Sequence, residues 1–174
     1  IMQKALFHIL FLPIFIWALP SFAQSDSTWH SSFYIEAGGA GGITSLNIEH
    51  YSFEKESINI GARFGLGTSR LRNFQDEFQP DYYVPFGLFT EIKVIKKRPN
   101  PLLIYFGAGL IYASTVQVND EFEPQRVVKL NSYFQAGATY IISNRLLLRL
   151  SYSPIISRGY GFNHWAALSI GHMF

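Results

Sequence analysis

Residues 145–152 read RLLLRLSY, two arginines set among four leucines. Laid out as an extended strand, the segment puts Leu146, Leu148, Leu150 and Tyr152 on one face and Arg145, Leu147, Arg149 and Ser151 on the other. One face is wholly apolar and the other carries both charges. The same period of two runs through 57–67, where Ile58, Ile60, Ala62, Phe64 and Leu66 oppose Asn59, Gly61, Arg63, Gly65 and Gly67. It recurs in 102–113, with Leu102, Ile104, Phe106, Ala108, Leu110 and Tyr112 against Tyr105, Gly107, Gly109 and Ala113. In 128–142 only Ser132 interrupts the apolar face. After residue 23 no window keeps helical spacing of apolar residues over three turns, so the chain reads as all-β.

Four further segments, 32–39, 44–51, 82–95 and 163–174, bring the strands to eight. Eight strands close a small antiparallel up-and-down barrel. The connectors alternate as well. SFEKE, KKRPNP and Ser143-Asn144 are short; 68–81, 117–127 and 155–162 are longer, with a Gly-rich turn at 39–42 on their side. Short turns on one rim and long loops on the other are the layout of a transmembrane β-barrel, in which the turns face the periplasm. Pro85 cannot donate to a ladder and is expected at a bulge near the outer end of the fourth strand.

Composition decides which face meets lipid. The 174 residues are 48% hydrophobic, 17% aromatic and 15% charged, whereas a water-facing surface is about 25–35% charged. The mixed faces are mainly Gly, Ser, Asn and Tyr, which suits a crowded lumen. They gather Glu36, Glu49 and Glu91 with Arg63, Lys93 and Arg149, three of each sign, and enclosed charges must be paired or wetted. These six are read as a structural lumen network. No Lys or Arg falls on the apolar faces, where a cation at mid-depth costs about 2–4 kcal/mol. Tyr82, Tyr112 and Tyr152 near one end, and Tyr140 and Phe174 near the other, suit the headgroup levels.

Residues 2–23, MQKALFHILFLPIFIWALPSFA, have one cation, an apolar run and small residues at Ser21 and Ala23. They read as a secretory signal, with 1–23 removed before Gln24 and 24–174 forming the barrel domain. The lack of cysteine excludes disulfide scaffolds, thiolate metal sites and a lipid-anchored N-terminus. A net charge of +2 from scattered basic residues gives no footprint for nucleic acid.

The final strand, WAALSIGHMF (165–174), ends in Phe174 with Ile170, Leu168 and Ala166 alternating behind it. It resembles the signal read by the outer-membrane barrel assembly machinery, except at His172, where Tyr is commoner. The mature chain as a whole is similar to a family of small eight-stranded outer-membrane β-barrel proteins. The similar stretches are YIEAGGAGG and SLNIEH (34–50), NIGARFGLG (59–67), VPF (84–86), LIYFGAGLIY (103–112) and LRLSYSP (148–154). Strand six departs most, with QAGATYI where a Tyr-Arg-Tyr-Gln-Pro-like segment is usual. The resemblance implies the fold and the outer membrane, and brings no catalytic residue or cofactor.

An enzyme of lipids needs a His near a Ser or carboxylate at the membrane surface. His30 has Ser32 two residues later, His50 and His172 fall at the short-turn rim, and His164 lies at the outer rim beside Trp165, which reads as an interfacial residue. No catalytic or metal constellation follows. The D-E-F-x-P echo at 76–80 and 120–124 could bind divalent cations that bridge lipopolysaccharide phosphates. A passage for small hydrophobic molecules would require a lateral opening or a hollow lumen, which the inward glycines at 38, 61, 65, 67, 87, 107 and 109 leave conceivable. The sequence therefore predicts a monomeric barrel, in contact with membrane lipids and lipopolysaccharide, with a structural, envelope or surface-interaction role and no enzymatic activity. The hydrophobic passage and a lipid-modifying enzyme are the alternatives.

Overall fold

The computed structural model describes residues 31–73, 75–95, 100–119, 122–143, 145–157 and 161–174. The expected signal at 1–23, His30, and Asp120 and Glu121 of the loop echo lie outside them. Eight strands follow one another round a closed barrel: β1 (Ser31–Gly38), β2 (Thr44–Glu54), β3 (Ile58–Thr68), β4 (Tyr82–Ile95), β5 (Leu102–Val118), β6 (Pro124–Ile142), β7 (Leu146–Ser157) and β8 (Gly161–Met173). All neighbours are antiparallel, and β8 pairs back onto β1, which removes the unpaired edges of an open sheet.

The alternation read in the sequence becomes an inside and an outside. Leu150 and Leu168 are 65% and 61% exposed, whereas Leu103 and Leu147, the same residue type on the opposite face, are 0% exposed. Around the wall the exposed belt includes Ile35 and Leu46, Phe64, Leu88, Phe106 and Phe134. Its extent far exceeds the few hundred Å² of contiguous apolar surface that a soluble monomer tolerates. Hydrocarbon is its solvent. Tyr82, Tyr112 and Tyr152 stand half-exposed near the long-loop rim, and Tyr140 and Phe174 near the other.

Two local expectations change. The sequence places a loop at 117–127, yet β5 runs 17 residues to Val118 and β6 runs 19 from Pro124. β7 and β8 likewise extend to Ser157 and Gly161. Past the membrane both faces of a strand meet water, so the pattern turns polar while the backbone pairing continues. Pro85 makes no bulge: β4 pairs with β5 in one register from Tyr82↔Ser114 to Lys93↔Leu103. The β3 ladder simply skips the proline, pairing at Phe64↔Phe86 and again at Gly67↔Tyr83. The irregularities lie instead between Tyr51 and Phe53 and between Lys93 and Ile95. The Gly-rich turn at 39–42 bends into the barrel. Gly39–Gly41 form a 3-10 turn buried in the barrel mouth, and positive φ at Gly38, Gly39 and Gly42 (79°, 82° and 90°) is what lets the chain fold inward there.

Above Ser114 and Ser132 the β5–β6 hairpin outruns its neighbours and becomes a two-stranded ribbon. Such a ribbon is marginal alone. The β3–β4 connection braces it: Val116 N donates to Asp81 Oδ1 at 2.8 Å, Arg70 donates to the Val116 carbonyl, and Arg126 reaches the Pro80 carbonyl at 3.2 Å and Ser114 Oγ at 3.1 Å.

Candidate functional site

Inside the barrel, five of the six predicted lumen charges meet. Glu36 on β1 and Arg63 on β3 pair at 2.7 Å, and Gln135 Nε2 on β6 donates to the other carboxylate oxygen at 3.1 Å. Arg63 also donates to Asn47 Oδ1 at 2.8 Å and to Gln135 Oε1, so one guanidinium links β1, β2, β3 and β6. Nearer the short-turn rim, Arg149 on β7 grips Glu49 on β2 with two parallel bonds of 2.8 and 2.9 Å and reaches Glu91 on β4 at 3.1 Å. Its Nε donates to Thr139 at 2.9 Å. Glu49 Oε1 further accepts the hydroxyls of Tyr34 (2.8 Å) and Tyr105 (3.0 Å), and the Arg149 guanidinium stacks 3.8 Å over the Tyr105 ring. A bidentate guanidinium–carboxylate pair fixes geometry as well as charge. All five side chains are at most 2% exposed.

Lys93 does not join them. It sits half-exposed at the short-turn rim beside the β4–β5 irregularity and makes no ion pair among the described residues. A long ammonium side chain near a strand end reaches water more cheaply than it packs into a crowded lumen. The expected balance of three and three is thus three carboxylates to two guanidiniums in the core. The sequence reading also missed Gln135, Asn47, Tyr34 and Tyr105, which fall on the inward face but carry no charge to single them out.

The cluster is shut in from both ends. Toward the short turns lie Tyr51, Phe89, Leu103, Ile141, Leu147 and Met173, with the Tyr51 and Phe89 rings edge to face at 5.2 Å. Toward the long loops lie Ala40 of the 3-10 turn, Ile111, Ala113, Tyr133 and Ile155. The inward glycines at 61 and 65 leave no hollow. A methyl at Gly61 would sit 2.6 Å from the Phe89 ring, and one at Gly65 would sit 2.2 Å from Asn47 Oδ1. Small residues there admit large neighbours.

The two echoed loops share a turn that is offset from the D-E-F-x-P motif. Asn73 N donates to the Glu77 carbonyl at 2.9 Å and Asn119 N to the Glu123 carbonyl at 3.0 Å, while each asparagine Oδ1 accepts the N–H of the glutamate four residues on (2.9 and 2.7 Å). The positive-φ residue is Asp76 in one turn and Phe122 in the other, both near 60°. The shared unit is therefore Asn73–Glu77 with Asn119–Glu123, two residues out of step with D-E-F-x-P. Asp76 pairs with Arg72 at 2.8 Å and Glu77 accepts from Asn73 at 3.2 Å. Among the described residues no three acidic or imidazole groups assemble around a cation position.

The histidines separate. His164 is hydrogen-bonded and stacked to Tyr152 at the outer rim. His172 stacks on Phe174. The β1–β2 register also brings Ser31 Oγ to 3.1 Å from His50 Nδ1, a pair that lies 19 residues apart in sequence. No carboxylate is bonded to His50 among the described residues.

No protein-family model matches the chain, and no curated protein does. Solved structures do. The N-terminal β-barrel domain of Pseudomonas aeruginosa OprF superposes with a TM-score of 0.57 at 14% identity, covering 85% of this chain and all of that one. Yersinia pestis Ail in a phospholipid nanodisc gives 0.53 at 12%, covering 84% and 100%. The outer membrane enzyme PagL gives 0.51 at 14%, covering 83% and 97%. The fold is that of the small eight-stranded outer-membrane β-barrels, and with the continuous apolar belt it makes this chain an outer-membrane barrel.

Proposed function

We propose that the protein is a sealed barrel that acts at its outer surface, as an envelope or surface-interaction protein, rather than by moving solutes. The observation that carries this reading is a contrast in exposure. The lumen charges are at most 2% exposed and closed off by an apolar layer on each side, while Phe78 and Phe122, beside the two tight reversals beyond the membrane, are 74% and 81% exposed. An exposed aromatic at a braced tip is contact area held ready at little entropic cost. Short turns face the periplasm and the ribbon faces outward. Membrane lipids and lipopolysaccharide surround the wall, the chain works as a monomer, and Phe174, paired with Ser31 by two 2.9 Å backbone bonds, serves the assembly machinery.

The test is adherence of bacteria displaying the protein. Phe78→Ser with Phe122→Ser is expected to abolish adherence while the unboiled protein keeps its fast gel migration. Undiminished adherence would contradict the reading. Passage of hydrophobic molecules along the barrel axis would have to cross the charged cluster and the apolar layer on each side of it. The enzyme reading has the Ser31–His50 pair and the fold of PagL in its favour. Among the described residues no carboxylate orients the imidazole, so Ser31→Ala is expected to leave acyl release from phospholipid vesicles at background, and activity lost with that hydroxyl would reinstate an enzyme.

A further inference from the structure

Above the upper apolar layer the lumen opens into a cup of about 470 Å³ at the long-loop rim, within the roughly 300–1,000 Å³ of small-molecule sites. Ile111, Ala113 and Ile155 form its floor, which makes it a dead end. Tyr83 and Trp165 pack against that floor and line the cup. Gln117 on β5, Asn131 on β6 and Asn163 on β8 converge on it from three strands, and no carboxylate lines it.

The amides are what separate this end of the lumen from the ionic cluster. Below, Gln135 is bonded to Glu36 and Ser151, and Asn47 accepts from Arg63. In the cup, the side-chain amides of Gln117, Asn131 and Asn163 have no hydrogen-bond partner among the described residues. Each offers an acceptor and two donors in one plane, which matches neighbouring hydroxyls that both donate and accept. Tyr and Trp offer an apolar ring face with a polar edge, which matches the C–H face of a sugar ring. A purely apolar guest would desolvate the amides without replacing their water. An anion would call for clustered cations, and Lys129 is the one cation among the described lining residues.

We infer that the cup is a saccharide site for one or two sugar rings, seated on Tyr83 and Trp165 and hydrogen-bonded by Gln117, Asn131 and Asn163. This rests on the outward orientation of the long-loop rim in the surface-acting reading. The sugar belongs either to the lipopolysaccharide core of the same membrane or to a foreign glycan.

Calorimetric titration of the folded protein in phospholipid nanodiscs tests it, with lactose, maltose and chitobiose in one arm and lipid-A-free core oligosaccharide in the other. The expected result is saturable binding in at least one arm, weakened tenfold or more by Asn131→Ala with Asn163→Ala and by Trp165→Ala, with gel migration of the unboiled variants unchanged. Binding confined to the core oligosaccharide assigns the site to the protein's own membrane, and binding confined to the disaccharides assigns it to a foreign glycan. No saturable heat with any probe, or affinity indifferent to these substitutions, overturns the proposal. Adherence through Phe78 and Phe122 is read on different variants, so either claim can fail while the other stands.

Discussion

The two ends of this barrel use polar residues in opposite ways. Below the upper apolar layer, Glu36, Arg63 and Gln135 form one bonded group and Glu49 and Arg149 another, each joining strands far apart in sequence and shielded from bulk solvent. Above it, Asp81 and Arg126 brace a ribbon, while the amides of Gln117, Asn131 and Asn163 line the cup with no hydrogen-bond partner among the described residues. The lower region is a core made of charges. The upper region is a surface made of strands.

The largest effect separating the two should come from Arg149. Arg149→Leu leaves Glu49 and Glu91 buried without their cation, and is expected to destabilise the barrel by about 3–5 kcal/mol, the usual cost of breaking a buried ion pair. Reversible urea unfolding in lipid vesicles would measure it. Arg149→Lys should recover only part, because an ammonium cannot reproduce the two parallel bonds to Glu49. Arg63→Leu, which strands one carboxylate rather than two, should cost less than Arg149→Leu. If the two losses were equal, or both near zero, the lumen would be wet rather than sealed. Conductance of the wild-type barrel in planar bilayers should be negligible on the same ground.

A second, smaller effect belongs to the ribbon. Asp81→Ala removes the acceptor of the Val116 N–H, a charge-assisted bond worth about 1.5–3 kcal/mol. Because the ribbon lies beyond the barrel, the loss should be local. Hydrogen exchange should quicken at 115–118 and 124–131 while the lumen-facing strands stay protected. Quickening throughout the barrel would show that ribbon and core unfold as one unit.

The smallest effect is expected at the tip. Phe122 holds φ at 61°, a left-handed conformation that costs an ordinary side chain about 1–2 kcal/mol. Asparagine suits that position better, so Phe122→Asn should slow exchange across 119–123 and leave global unfolding unchanged within error. Faster exchange at the tip would mean that the phenyl ring itself holds the turn.

Much of this is legible in the sequence. RLLLRLSY, NIGARFGLG and their like assign each strand face because one side meets hydrocarbon and the other a packed lumen, so the alternation is enforced by two unlike solvents. Where only one solvent acts, the signal vanishes. Residues 115–118 and 124–127 are strand because of backbone pairing, and nothing in their side chains announces it. The charged members of the lumen cluster could be found because charge is conspicuous on an otherwise bland face. Gln135, Asn47 and Tyr105 could not, since their roles depend on which strands oppose them. Lys93 followed the right alternation to the wrong depth. The Ser31–His50 pair and the inward fold of Gly39–Gly41 are likewise matters of register and turn geometry rather than composition.

The assignment of faces can be tested without altering a residue. In deuterium-sparse nanodiscs, magnetisation transfer from lipid acyl-chain protons to leucine methyls should reach Leu150 and Leu168, which stand on the outer wall, and miss Leu103 and Leu147, which are fully enclosed. Transfer to Leu103 and Leu147 in place of the other two would contradict the account, since the charged cluster would then face hydrocarbon.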